Sequence, residues 1–264
     1  MSKIPQWNYS LAEKTMKSDE HYLKKSTTSR SIQTMEKGKI LYFGVFIMVV
    51  VAFIFHVTAM GHNHWKKASL RNGTAPVGGF SDPVSIGLFT RCQTFNSTRG
   101  ESCAPNLFKN DVNCTASNCL LRFANPSCSC DYLPSTKGIA ACAIIASIFL
   151  GLAIIILFIH SINTSETRSI GLILGLFPLL LLLFAFIFIL ITLILVGSYL
   201  SRDIMSILGE SSGITDIPTL RDRTREYYKV RVDWSTGLEI ISLFFTFVSL
   251  VLYSAFVFKF GRSS

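Results

Sequence analysis

The sequence predicts an all-α membrane protein: a four-helix transmembrane bundle carrying a small, disulfide-stapled, extracellular antiparallel β-sheet. Three observations lead there. Half of the 264 residues are hydrophobic and only 16% are charged, with a mean hydropathy of +0.44, a balance foreign to water-soluble globular chains. The apolar residues fall into four long blocks. Six of the seven cysteines crowd into one of the polar segments between them.

The blocks are Ile40 to Met60, Ile139 to Ile159, Ile170 to Val196 and Leu238 to Phe258. Each matches or exceeds the roughly 20 helical residues needed to cross about 30 Å of hydrocarbon. Buried helices of soluble proteins are shorter and keep a polar face, which these lack. The first block follows 39 polar residues and is too long for a cleaved signal peptide, so it is expected to remain in the protein.

Four spans divide the chain into a tail (1–39), a large loop (61–138), a turn (160–169), a second loop (197–237) and a short end (259–264), with both termini on one side. Lysine and arginine do not orient it, because tail and large loop carry eight each. Cysteines do. Cys92, Cys103, Cys114, Cys119, Cys128 and Cys130 all lie in the large loop, an even set suited to disulfides in an oxidising compartment. The same loop holds glycosylation sequons at Asn72, Asn96 and Asn113. Both loops are therefore placed outside a plasma-membrane protein and both termini in the cytoplasm, where the sequons at Asn8 and Asn163 would stay unmodified. Zinc is the rival reading for Cys114, Cys119, Cys128 and Cys130, but their spacing lacks the usual CxxC pairs. Cys142, within the second span, is a small apolar filler.

In the large loop, short aliphatic and aromatic runs such as "SIGLFTRCQTF" and "NCLLRF" alternate with Gly, Asn, Pro and Ser, as strands do with turns. In "KVRVDW", Lys229 to Trp234, Val230 and Val232 alternate with charged residues, the mark of a half-buried strand. A small sheet built mostly from the first loop, with one strand from the second, follows. Exposed tips for partner contact would include Phe80, Phe95, Phe108 and Tyr227-Tyr228.

Trp65, then Gly87-Leu88-Phe89, then Cys92 and Cys103 resemble the W…GLW…C…C signature of the claudin, peripheral myelin protein and calcium-channel γ-subunit superfamily. Leu133-Pro134 before the second span and Trp234-Ser235 with Gly237-Leu238 at the fourth extend the likeness, which covers roughly 40–258. The resemblance implies a disulfide between Cys92 and Cys103, further pairs among the other four loop cysteines, and Trp65, Leu88 and Phe89 seating the sheet on the helix ends. A staple across so short a loop contributes somewhat under 3 kcal/mol on chain-entropy grounds. Phe89 departs from the motif's tryptophan, the four extra cysteines exceed its usual pair, and the C-terminal Gly261-Arg262-Ser263-Ser264 lacks the hydrophobic end that engages PDZ scaffolds.

Within the bilayer, Ala143, Ser147 and Gly151 on the second span, and Gly171 and Gly175 on the third, are small-residue packing positions. Pro178 is expected to kink the third span. The ionisable candidates inside spans are His56 and Glu239, both near span ends; Glu239 is read as interfacial, with a loop arginine as its partner. Neither a nucleotide loop nor an HExxH pattern occurs, so no enzyme, cofactor or metal is expected. The basic residues are split across the bilayer, which excludes nucleic acid. The tail, with Lys14, Lys17, Lys24, Lys25 and Arg30 beside a Ser/Thr cluster, suits anionic lipid or a cytoskeletal adaptor. The implied role is adhesion or junction formation in cell-cell contact or cell morphogenesis, through membrane proteins in cis or trans. The alternative is an auxiliary subunit tuning the trafficking or gating of a channel or receptor.

Overall fold

A computed structural model describes residues 40–71, 75, 82–94, 100–109, 129–163, 172–212 and 216–260. The tail, the three loop sequons Asn72, Asn96 and Asn113, Cys114, Cys119, Cys128, Gly171, Phe80 and Phe95 lie outside the described residues.

Four helices dominate: α1 (Ile40–Gly61), α2 (Pro134–Asn163), α3 (Leu172–Ser198) and, at the end of the chain, α6 (Trp234–Phe260). Their membrane-length apolar stretches cover 22, 28, 24 and 25 residues. At 1.5 Å per residue the shortest already reaches about 33 Å. Proline opens α2, where its missing N–H costs nothing. Pro178 lies inside α3, which continues through it.

All four helices share one core. Val45 and Val49 of α1, Leu150, Ala153 and Leu157 of α2, Leu182, Ala185 and Ile189 of α3, and Tyr253 of α6 meet there. The outward faces are apolar as well: Ile54, Ile144, Ile148, Phe158, Phe184, Phe244 and Phe247 stand exposed. Such a belt of isoleucine and phenylalanine around four membrane-length helices is consistent with a multi-pass membrane protein.

The polar segments build a second layer at one end. Strands β1 (Lys66–Leu70), β2 (Val84–Ile86), β3 (Thr90–Thr94), β4 (Glu101–Pro105) and β7 (Tyr228–Val232) form one antiparallel sheet in the order β4-β3-β2-β1-β7. A two-stranded sheet pairs β5 (Phe108–Lys109) with β6 (Cys130–Asp131). Strand β1 follows α1 after four residues and β7 precedes α6 after one, so these strands extend two neighbouring helices.

Two helices that the sequence reading lacks, α4 (Arg202–Ser212) and α5 (Ile217–Tyr227), occupy the second loop. Asp216 caps α5, accepting the Thr219 N–H at 3.1 Å, with Pro218 in the first turn. Their apolar residues Ile204, Leu208 and Leu220 pack on the sheet face formed by Ala68, Val84, Ile86 and Tyr228. The strand expected over 229–234 is found over 228–232, because Asp233 and Trp234 turn the chain into α6.

Candidate functional site: the junction between sheet and helices

Trp65 is the hub of the junction. It is 1% exposed and packs with Ala59, Leu88, Ile139, Ala143 and Val196, which joins the sheet to α1, α2 and α3. Its indole Nε1–H donates to the Ala59 carbonyl at 2.7 Å, the partner a buried indole requires. Its backbone carbonyl accepts from the Thr236 hydroxyl at 2.7 Å and the Asp233 N–H at 3.1 Å, tying it to the start of α6.

Gly87 is required by close approach. A Cβ there would stand 2.6 Å from the Asn63 Cα and 2.9 Å from the His62 carbonyl, both backbone atoms of the α1-to-β1 connector. Asn106, fully buried, fastens the same turn by donating its backbone N–H to the Phe89 carbonyl and its amide to Gly87. Leu88 points inward at 3% exposed, whereas Phe89 is 40% exposed. Of the two residues expected to seat the sheet beside Trp65, Leu88 is the buried one. Phe89 lines a shallow groove of about 240 Å³ with Tyr132, Lys137, Ala140 and Ile144.

Cys92 and Cys103 are bonded and stand directly opposite each other on β3 and β4. Asn63 turns its amide to the Cys92 sulfur, so the connector packs beneath the staple. Glu101 also lies near, but sulfurs joined in a disulfide are not thiolate ligands, and the cluster is no metal site. Cys130 is disulfide-bonded as well. Gly100, at φ +75, ends the β3–β4 excursion in a left-handed conformation open to glycine.

Three polar clasps bind the layers, and a fourth joins the helices to one another. In the first, the Lys66 ammonium donates to Asp203 at 2.8 Å and to the Tyr199 carbonyl at 2.9 Å, and the Thr136 hydroxyl reaches the other Asp203 oxygen at 3.4 Å. Both charges are nearly sealed from solvent, at 6% and 2% exposure. In the second, at the surface, His64 meets Asp233 at 3.1 Å, while the His62 ring stands edge-on to Trp234 at 4.4 Å. On the α2 side, Lys137 pairs with Asp131, and that hydrogen bond, helped by the Tyr132 N–H, holds the exposed carboxyl below the usual carboxylate range.

The fourth clasp lies inside the bundle. His56 of α1 and Glu239 of α6 are both fully buried, with Nδ1 at 2.8 and 2.9 Å from the two carboxylate oxygens and Nε2 at 2.9 Å from the Ala143 carbonyl of α2. A carbonyl only accepts, so Nε2 carries hydrogen. Nδ1, poised between both oxygens, then forms a hydrogen-bonded pair whose total charge is zero. The partner of Glu239 is thus His56, where a loop arginine is expected from the sequence. Adhesion tips also need correction: Phe108 is 5% and Tyr228 2% exposed, both being drawn into the packed layers.

The small residues of α2 face α1. The Ser147 hydroxyl contacts Met60 Sδ at 3.1 Å, a Cβ on Gly151 would meet the Phe53 ring at 3.9 Å, and Ala143 is fully buried. Gly175 is buried on α3.

Comparison with models of known protein families finds no match, and comparison with curated proteins finds none either.

Proposed function

We propose that the chain is a claudin-like four-span protein of the plasma membrane whose sheet stands outside the cell and acts in cell-cell adhesion or junction formation. The observation that carries this reading is the five-stranded sheet, stapled from β3 to β4 and seated through Trp65 on the ends of four membrane-length helices. Disulfides at Cys92–Cys103 and Cys130 favour the oxidising side for this layer. A rigid cap is what adhesion needs, because a partner bound to a loose one would give back its binding energy in ordering. Apolar contact positions remain on the module: Phe89, Val232, Trp234 and Ile217 are 40 to 70% exposed. Engagement through the α2 small-residue face, which an auxiliary-subunit role would use, is disfavoured because α1 already covers it.

Expression in non-adherent cells tests the proposal. Aggregation that requires the intact disulfide is the expected result. Dispersed cells, with surface-delivered protein that co-purifies with a channel or receptor, would overturn adhesion in favour of the subunit role. Protease protection of residues 61–138 in intact cells would overturn the sidedness itself.

A further inference from the structure

The two strands at one side of the sheet carry an unusual charge arrangement on the face turned away from α4 and α5. Lys67 of β1 lies directly opposite Arg231 of β7, and Ser69 lies opposite Lys229. Arg71, whose N–H donates to the Tyr227 carbonyl, continues the ladder one step beyond β1. Alternation sets the faces: Lys66, Ala68 and Tyr228 are buried, while Lys67 is half-buried and Arg71, Lys229 and Arg231 are exposed. Four cations therefore share one surface. None of the four is paired with a carboxylate among the described residues, and the nearest acid on these strand ends, Asp233, is engaged by His64.

Directly opposed side chains have Cβ atoms about 5 Å apart, and like charges so placed destabilise a sheet. Edge strands often carry lysine to repel strand pairing. That accounts for Lys229 and Arg231 on β7, but not for Lys67, because β1 has neighbours on both sides. An anion laid across the two strands would turn this repulsion into attraction. From Lys67 to Arg71 the stripe runs about 13 Å along the strand, longer than one phosphate or carboxylate spans, so the fit is to a chain of anionic groups.

We propose that this outer face of β1 and β7 binds a sulfated polyanionic glycan of the glycosaminoglycan type. The inference rests on the extracellular placement above, since such glycans are displayed outside cells. Serine at position 69, between the cationic pairs, adds a hydroxyl donor of the kind sulfate oxygens accept.

Heparin affinity of the full-length protein in detergent, titrated with salt, tests the site. Counter-ion release makes the logarithm of affinity fall linearly with that of salt, with a slope that tracks the number of contacts. Lys229→Gln with Arg231→Gln should lower that slope by about 2 and weaken binding roughly tenfold near physiological salt. Both residues are exposed, so folding is preserved, and an unchanged melting temperature checks this. Loss of binding to desulfated heparin is also expected. An unaltered slope in the double variant, equal binding of desulfated heparin, or preference for single-stranded nucleic acid would overturn the site. Disulfide-dependent cell aggregation without heparin binding would refute the glycan alone. Heparin binding with the loops labelled only from the cytosol would refute the adhesion reading, and the glycan as natural ligand with it.

Discussion

The buried His56–Glu239 pair makes the sharpest quantitative test. At 2.8 Å and an effective dielectric near 20, its attraction is about 6 kcal/mol if the pair is ionic, before the cost of removing both groups from water. Replacing one partner leaves the other with no solvent, since both are 0% exposed, and cutting such a pair costs about 3–5 kcal/mol. His56→Leu should therefore destabilise by about that amount, stranding the Glu239 carboxyl and freeing the Ala143 carbonyl. Glu239→Leu should do likewise. The double variant removes both polar groups and should lie within about 1–2 kcal/mol of wild type, a strongly non-additive cycle. Thermal unfolding in detergent, followed by tryptophan fluorescence, provides the assay, because Trp65 and Trp234 report on the same end of the bundle. Average side-chain hydrogen bonds within membranes contribute only about 0.6 kcal/mol. Single-variant losses of that size, or a double variant as unstable as the sum of the singles, would refute the idea of a mutually dependent pair.

Other outcomes follow from the junction. Gly87→Ala should cost about 1–3 kcal/mol by overpacking against the 62–63 backbone; melting shows it, and a neutral effect would contradict the close approach. Cys92→Ser should remove close to 3 kcal/mol of chain-entropy stabilisation for an 11-residue separation, measured as reduced surface delivery and lower melting. Asp203→Ala should cost about 3–5 kcal/mol by leaving the Lys66 ammonium buried without its carboxylate, whereas Lys66→Met with Asp203→Leu should recover most of the loss. For Asp131, the depressed pKa means its pairing with Lys137 is fully present above the ordinary carboxylate value of about 3.9 and is lost as pH falls through the lower folded value. Lys137→Gln should move the Asp131 titration upward, as read by carboxyl NMR.

Much of this architecture was legible because bilayer length and disulfide chemistry act locally. Four apolar runs declare themselves by length, and Gly87-Leu88-Phe89 with Cys92 and Cys103 fall within 17 residues. Helix α4 was missed although Ile204 and Leu208 stand one turn apart behind Asp203, and α5 although Asp216-Ile217-Pro218 is a capped start. In both, expectation of a loop outweighed short-range signals. The clasps were hidden for another reason. His56 and Glu239 are 183 positions apart, and their pairing depends on how α1 and α6 pack. A clue did exist: each stands five positions in from the sheet-side end of its helix, at matched depth. Asn63 and Asn106 gave no such clue, since polar loop residues rarely betray burial.

The continuity of α1 into β1 and of β7 into α6 has a mechanical consequence. Because the two strands are hydrogen-bonded to each other and the two helices are clasped below them, the chain forms one closed brace running through both layers. Load applied to the sheet passes along backbone into the long apolar helices, with no slack tether to stretch first. A cap of this construction transmits tension rather than absorbing it.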